Sequence, residues 1–172
     1  MITMPPLRTL CIAGFVFCAG LIATALYFQH GMGMEPCPLC ILQRVAIIAI
    51  GLVLLVAAIF NPSGLGRRLT GLLTVIAAAS GGAVSARHVW LQGLPEDEVP
   101  ACGPGLDYML ETFPLAETLD MILQGSGECA EVAWRLLGLS MPGWLLVIFS
   151  GFALFGLWLT FSRPSPKSEA LL

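Results

Sequence analysis

The fold is decided by residues 41–60, which read ILQRVAIIAIGLVLLVAAIF. This run has a single charge, Arg44, and has the length of about 20 residues that one helical crossing of a bilayer needs. Three further apolar stretches have comparable length, at 10–28, 69–90 and 144–161. Because backbone groups in hydrocarbon must be hydrogen-bonded within their own segment, each stretch is predicted to be a helix. The sequence therefore predicts an all-α membrane protein, a four-transmembrane-helix bundle.

The composition favours a membrane protein over a water-soluble one. Of the 172 residues, 57% are hydrophobic and 11% are charged, whereas a soluble domain carries roughly 25% charged residues. The net charge is -3 and the basic residues are scattered, so no basic patch predicts binding to nucleic acid. The first apolar run ends in Tyr27 and Phe28 rather than in small residues, which favours a retained span over a cleaved signal peptide. Residues 1–172 are expected to form one membrane domain.

The basic residues outside the spans predict the orientation. Five of them lie beyond the same membrane face, namely Arg8, Arg67, Arg68, Arg163 and Lys167. The positive-inside rule makes that face cytoplasmic, together with both termini and the polar tail 163–172. Loops 29–40 and 91–143 then lie on the opposite face. The longer loop contains nine acidic residues against the single base Arg135, as expected of an exported segment.

The long loop contains two apolar clusters. Residues 114–123 have the pattern of a short amphipathic helix with one apolar side, formed by Leu115, Leu119, Ile122 and Leu123. Glu117 and Asp120 lie away from that side. The second cluster comprises Trp134, Leu136, Leu137 and Leu139. We predict that one or both of these segments, the short helix among them, lie on the bilayer surface; a small soluble subdomain is the alternative, but the loop is short for a core of its own.

Four of the six cysteines fall on the exported side. Cys37 and Cys40 form a C-x-x-C motif where the second span begins, and a helix N-terminus favours the thiolate form. A disulfide in so small a ring contributes little stability, so redox exchange explains the motif better than bracing does. Cys102 and Cys129 have flexible glycine-containing flanks, and for them a structural and a redox role are both left open.

Two side chains near the C-x-x-C motif are candidates for binding an electron acceptor. Arg44 lies one turn after Cys40, and a guanidinium this close to hydrocarbon must either snorkel or have a polar or anionic partner. We interpret it as stabilising the Cys40 thiolate or the charge on a bound acceptor. His88, at a comparable depth in the third span, could donate a hydrogen bond to a quinone or relay protons. Its neighbour Arg87 is equally well explained as an interfacial anchor.

Four motifs together resemble the disulfide bond formation protein B family, the bacterial thiol:quinone oxidoreductases. In chain order they are EPCPLC with QR at 35–44, RHVWLQ at 87–92, CGPGLDYM at 102–109, and GECAE with GLSMP at 127–142. The resemblance covers nearly the whole chain, from about Arg8 to Phe161. Four separate motifs in the right order make it specific.

The resemblance implies a relay of thiol–disulfide exchanges in a bacterial inner membrane. The thiolate of a reduced periplasmic DsbA-like protein attacks Cys102 of a Cys102–Cys129 disulfide. Cys129 then attacks Cys37, and Cys40 leaves as a thiolate whose electrons pass to a membrane quinone held near Arg44 and His88. The quinone would be ubiquinone or menaquinone. No metal is implied.

Two other classes of function are left open by the residues themselves. One is a metal-binding membrane protein that uses the four exported cysteines, although the second pair is widely spaced for a structural zinc site. The other is a non-enzymatic membrane subunit whose disulfides brace the loops. Cys11 and Cys18 are outside the family pattern, and they are interpreted as small apolar side chains in the first span.

Overall fold

The computed structural model describes residues 6–95, 97–100, 106–132 and 134–162. Within these residues the chain forms seven α-helices and one two-stranded hairpin. In chain order they are α1 (Leu7–Gly31), α2 (Pro38–Phe60), α3 (Gly64–Leu91), α4 (Leu106–Thr112), α5 (Leu115–Gln124), α6 (Gly127–Ala130), β1 (Arg135–Leu136), β2 (Leu139–Ser140) and α7 (Met141–Phe161).

Helices α1, α2, α3 and α7 are long and apolar enough to cross a membrane. Each predicted span lies inside one of these helices. The prediction of an all-α protein with four membrane-spanning helices is confirmed, and the chain is a multi-pass membrane protein. The helices extend several residues past the apolar stretches, since helical hydrogen bonding does not stop where the hydrocarbon ends.

Local sequence sets where α2 begins and ends. Cys37 is its N-cap residue, and Pro38 follows at the first helical position, where its fixed φ suits a helix and its missing N–H costs nothing. At the other end Asn61 adopts a left-handed conformation with φ of 42°, and its N–H donates to the carbonyl of Ala57. The C-x-x-C motif is therefore placed on the first turn of α2.

The most extensive helix contact is between α3 and α7, and glycines allow it. A Cβ on Gly71 would lie 2.6 Å from the carbonyl oxygen of Gly156, and one on Gly81 would lie 2.4 Å from the Phe149 ring. The small residues of the third span do not all serve this contact. Ser80 is exposed and donates its hydroxyl to a carbonyl of its own helix.

The predicted loop helix is present as α5. Its buried residues are Thr118 and Ile122, whereas Leu115, Leu119 and Leu123 are 72%, 42% and 45% exposed. Ile122 thus packs against the protein, and the three leucines form the apolar stripe left uncovered. Their contact with the bilayer surface stays a prediction.

The second apolar cluster of the long loop forms a hairpin. Arg135 pairs with Ser140 and Leu136 with Leu139 in antiparallel register. Leu137 and Gly138 form the turn with φ of 52° and 83°, as a two-residue hairpin with two left-handed positions requires. This hairpin was not predicted from the sequence.

Candidate active site

The C-x-x-C sulfurs lie together at the start of α2. The Cys37 thiol donates to the Cys40 sulfur at 3.0 Å, and the backbone N–H of Cys40 donates to the Cys37 sulfur at 3.4 Å. Cys37 is 9% exposed, and Cys40 is half-buried. A sulfur at this position receives an N–H that the helix itself cannot use, which favours negative charge there.

His88 reaches the same sulfurs from the end of α3. Its side chain is 3% exposed, and its Nε2 lies 3.8 Å from the Cys37 sulfur. From the sequence, His88 was predicted to donate a hydrogen bond to a quinone or to relay protons. The structure places it in the protein interior against Cys37, where it can exchange a proton with that thiol.

Gln43 holds the other nitrogen of the His88 ring. The amide nitrogen of Gln43 lies 3.4 Å from His88 Nδ1, and the Gln43 side chain is fully buried. Its Oε1 is also buried and bonds to no described group. With the amide turned so that Oε1 accepts from Nδ1–H, the lone pair of Nε2 would face Cys37. Sequence reasoning gave Gln43 no role, although an uncharged polar residue in so apolar a helix is a signal in itself.

Cys129 is brought onto Cys37 by the long loop. It lies on the short helix α6, is 1% exposed, and belongs to a buried cluster with Cys37 and Leu91. A side-chain hydrogen bond with Cys37, together with burial, raises the pKa of the Cys129 thiol. A third sulfur therefore lies in the same buried cluster as the first cysteine of the motif.

Arg87 fixes the segment that leads to Cys129. Its Nε and one terminal nitrogen donate to the carbonyls of Leu123 and Gln124 at 3.2 and 3.0 Å, and its guanidinium lies 4.3 Å from the centre of the Trp90 ring. These carbonyls end α5, where a helix prefers positive charge. Arg87 thus anchors the loop. Its interpretation as an interfacial anchor stays a prediction.

Arg44 bridges α2 and α1. One terminal nitrogen donates to Gln29 Oε1 at 2.5 Å, and the other donates to the Ala25 carbonyl at 3.4 Å. The half-buried guanidinium has the polar partners that its depth requires. Its position one turn after Cys40 is the one that the sequence predicted.

The remaining cysteines divide into two groups. Cys11 and Cys18 are 0% and 2% exposed within the apolar core of the bundle. Cys102 lies outside the described residues, so its pairing with Cys129 stays a prediction. Of the predicted site residues, the structure brings together Cys37, Cys40, His88 and Cys129.

These sulfurs define a multi-pass membrane protein built for thiol–disulfide chemistry. Residues 7–159 match the family described as Disulfide bond formation protein DsbB. The chain belongs to this family, and its general role is disulfide bond formation.

Similar proteins match this chain over most of their length. A relative from Methylococcus capsulatus is 54% identical over 155 residues, which cover 90% of this chain and 94% of that protein. One from Marinobacter nauticus is 54% identical over 89% of this chain and 91% of its own. A third, from Saccharophagus degradans, is 50% identical over 90% of this chain and 93% of its own length. All three are named Disulfide bond formation protein B.

Proposed function

We propose that the protein is an inner-membrane thiol:quinone oxidoreductase that re-oxidises a periplasmic DsbA-like dithiol protein. The observation that supports this best is the contact of Cys129 with Cys37. The two residues are far apart in sequence and come from different loops. A brace between loops needs two sulfurs, whereas a relay needs a third sulfur next to an exchangeable pair, as found here.

The relay consists of thiolate attacks on disulfide sulfurs. The donor thiolate attacks Cys102, which breaks the Cys102–Cys129 bond and releases the Cys129 thiolate. Cys129 attacks Cys37, which breaks the Cys37–Cys40 bond and releases the Cys40 thiolate. The second donor thiol then frees Cys102, and Cys102 attacks Cys129 and frees Cys37. The donor ends as a disulfide, and Cys37 and Cys40 end as a dithiol.

The geometry explains the direction of the central step. Cys129 is hydrogen-bonded to Cys37 and shares its buried cluster, which supports Cys37 as the sulfur attacked and Cys40 as the leaving group. The leaving sulfur lies on the first turn of a helix and one turn before Arg44, and both favour its negative charge. His88 Nε2, beside Cys37, would take the Cys37 proton when the pair closes again.

Arg44 and Cys40 fit a quinone site. Cys40 is more exposed than Cys37, and the anchored guanidinium has further N–H donors for a ligand carbonyl. A quinone bound there would supply a sink for two electrons and two protons as the pair returns to a disulfide. Arg44 would orient it, and His88 stays a candidate for a hydrogen bond to it.

The same proposal fixes the topology. Both termini would be cytoplasmic, and Cys37, Cys40, Cys102 and Cys129 would face the periplasm at the membrane edge. Thiol labelling of intact cells with an impermeant reagent tests this. Labelling of Cys37 and Cys102 from opposite sides of the membrane would end the proposal.

The decisive experiment separates the two halves of the relay. The purified full-length protein is mixed with a quinone and either a reduced DsbA-like protein or a small dithiol, and quinone reduction and thiol loss are followed together. Cys129→Ser should lose turnover with the protein donor, because that donor needs the loop pair. It should retain turnover with the small dithiol, which reduces Cys37–Cys40 directly. Full turnover of Cys129→Ser with the protein donor would refute the relay.

A further inference from the structure

We propose that the reduced form of this site binds one zinc ion through Cys37, Cys40 and His88, and that the oxidised form does not. The Cys37 and Cys40 sulfurs and a ring nitrogen of His88 all lie within 4.8 Å of one another. The proposal rests on the Cys37–Cys40 pair being redox-active, as proposed above. It does not depend on which donor or acceptor the protein uses.

The distances suit a tetrahedral ion. With zinc–sulfur bonds of about 2.3 Å and zinc–nitrogen bonds of about 2.0 Å, neighbouring ligand atoms lie roughly 3.5 to 3.8 Å apart. The separation of Cys37 Sγ and His88 Nε2 is 3.8 Å, and that of the two sulfurs is 3.0 Å. The nitrogen is already at ligand distance from Cys37 Sγ, and Cys40 Sγ, which lies within 4.8 Å of the ring nitrogen, needs to move by about 1 Å. A rotation of the half-buried Cys40 side chain would supply this movement.

The number of ligands is that of an open zinc site. Two cysteines and one histidine are a known set of three protein ligands, with the fourth position taken by water. While Cys129 is held in its disulfide with Cys102, it has no thiolate to offer. Water would then fill the fourth position when only the Cys37–Cys40 pair is reduced.

A second observation comes from the environment of His88. A histidine that binds a metal through one nitrogen commonly has the other held by a hydrogen bond, which fixes the tautomer and the ring orientation. Gln43 lies 3.4 Å from Nδ1, and its buried Oε1 bonds to no described group. An oxygen with this unused capacity can accept Nδ1–H, which leaves Nε2 free for the ion.

Charge also favours the ion in the reduced state alone. Two thiolates near the hydrocarbon carry a high desolvation cost, and a divalent cation offsets both charges. Binding releases two thiol protons and transfers no electrons. Zinc and the Cys37–Cys40 disulfide exclude each other, because the same sulfur electrons would form either bond. Zinc would hold the pair reduced, and a chelator would return it to the dithiol.

Binding can be measured without any donor or quinone. Full-length protein carrying Cys102→Ala and Cys129→Ala is reduced, freed of reductant without oxygen and titrated with zinc against a chromophoric chelator. We expect one equivalent to bind, and affinity to fall at least about a hundredfold after the pair is oxidised. Cobalt substituted for zinc should give thiolate charge-transfer and tetrahedral absorption bands.

The variants test each ligand separately. His88→Ala should weaken binding by at least about tenfold, and Cys40→Ser by at least as much. His30→Ala alters the other, exposed histidine and should leave affinity unchanged. His88→Asn replaces His88→Ala if the latter fails to fold by circular dichroism. Equal binding by reduced and oxidised protein, or an unchanged affinity in a folded His88 variant, would show an adventitious ion only and overturn the proposal. Loss of the relay in the turnover assay would leave this measurement intact, so the two failures are distinguishable.

Discussion

The interior of the bundle and the N-terminal end of α2 both bury cysteines, and only the second surrounds them with polar groups. Cys11 and Cys18 are 0% and 2% exposed among apolar side chains. Cys37 is 9% exposed, but it receives a backbone N–H and lies beside an imidazole and two other thiols. Burial is therefore a poor guide to the reactivity of a cysteine. Its reactivity depends on the charges and donors around it.

The largest difference should appear when a cysteine is replaced at the start of α2 and, for comparison, in the interior of the bundle. Cys37→Ser should abolish turnover with every donor, because the alcohol cannot form the disulfide that the relay requires. Cys11→Ala and Cys18→Ala should retain turnover, at a cost of about 1 kcal/mol in stability for the small cavity. Quinone reduction by the purified variants measures all three.

Folding must be checked in the same samples. If Cys37→Ser is folded by circular dichroism and still turns over, the reactive role of this sulfur is disproved. If Cys11→Ala folds normally and loses turnover, the interpretation of Cys11 as a small apolar side chain with no part in turnover is wrong.

In the interior of the bundle, substitutions should change stability through the volume of the side chain rather than change turnover. Gly71→Ala should lower the free energy of unfolding by about 1 to 3 kcal/mol, because the added carbon meets backbone atoms of α7 that cannot move aside. Gly82→Ala is the matched control, since its added carbon would meet the Phe149 Cβ at an ordinary 3.7 Å. Denaturation in detergent compares the two. Equal stability would argue against the close α3–α7 contact.

Arg44→Ala should lower kcat/KM for the quinone by about ten- to a hundredfold, the equivalent of one hydrogen bond to a charged group. The change should appear with protein and small-dithiol donors alike, because it concerns the acceptor. Steady-state kinetics at varied quinone concentration measure it. Unchanged kinetics would return Arg44 to the role of a snorkelling side chain that links α2 to α1.

Arg87→Ala should slow turnover with the protein donor by about tenfold, because the carbonyl end of α5 loses two charged donors that are themselves partly exposed to solvent. The small-dithiol rate should stay nearly constant, since a small dithiol reduces Cys37–Cys40 directly and does not need the loop to deliver Cys129. Arg68→Ala removes an exposed charge from the other end of α3 and should change neither rate. A parallel fall with both donors would mean that Arg87 supports α3 rather than the loop.

The fold was predictable because hydrocarbon imposes a strong local rule. Any segment that crosses it must be apolar and helical, so residues 41–60 predict α2 with no knowledge of its neighbours. The motif cysteines were predictable for a similar reason, since their spacing and the following proline describe one helical turn. The hairpin at 135–140 was not, because it has two residues in each strand, too few to show an alternating pattern.

Contacts between distant segments were also beyond the sequence. Nothing local in Arg87 shows that the end of α5 lies beside it. Likewise, the position of His88 near the end of α3 did not specify which side of the helix it lies on. That side faces Cys37 and Gln43 rather than lipid. The packing of one helix against another decides which side of a helix faces the protein, and sequence periodicity alone does not identify that side.

The smallest expected effect comes from comparing two buried polar side chains, one beside the cysteine site and one in the interior of the bundle. Gln43 and Thr74 are both fully buried polar residues of spanning helices. The Thr74 hydroxyl donates to the Thr70 carbonyl of its own helix, whereas the Gln43 amide meets the His88 ring. We expect Gln43→Leu to slow turnover by about threefold, since one neutral hydrogen bond is lost, and Thr74→Val to leave it unchanged.

A rate alone would not separate positioning from packing, so the pH profile is the critical readout. If Gln43 fixes the ring so that Nε2 exchanges a proton with Cys37, Gln43→Leu should flatten the pH dependence of re-oxidation of the reduced pair near neutrality. Gln43→Glu keeps an acceptor beside Nδ1 and should retain a pH-dependent rate. A uniform fall at every pH in Gln43→Leu would mean that the amide only fills space between α2 and α3. His88 would then reach Cys37 without its help.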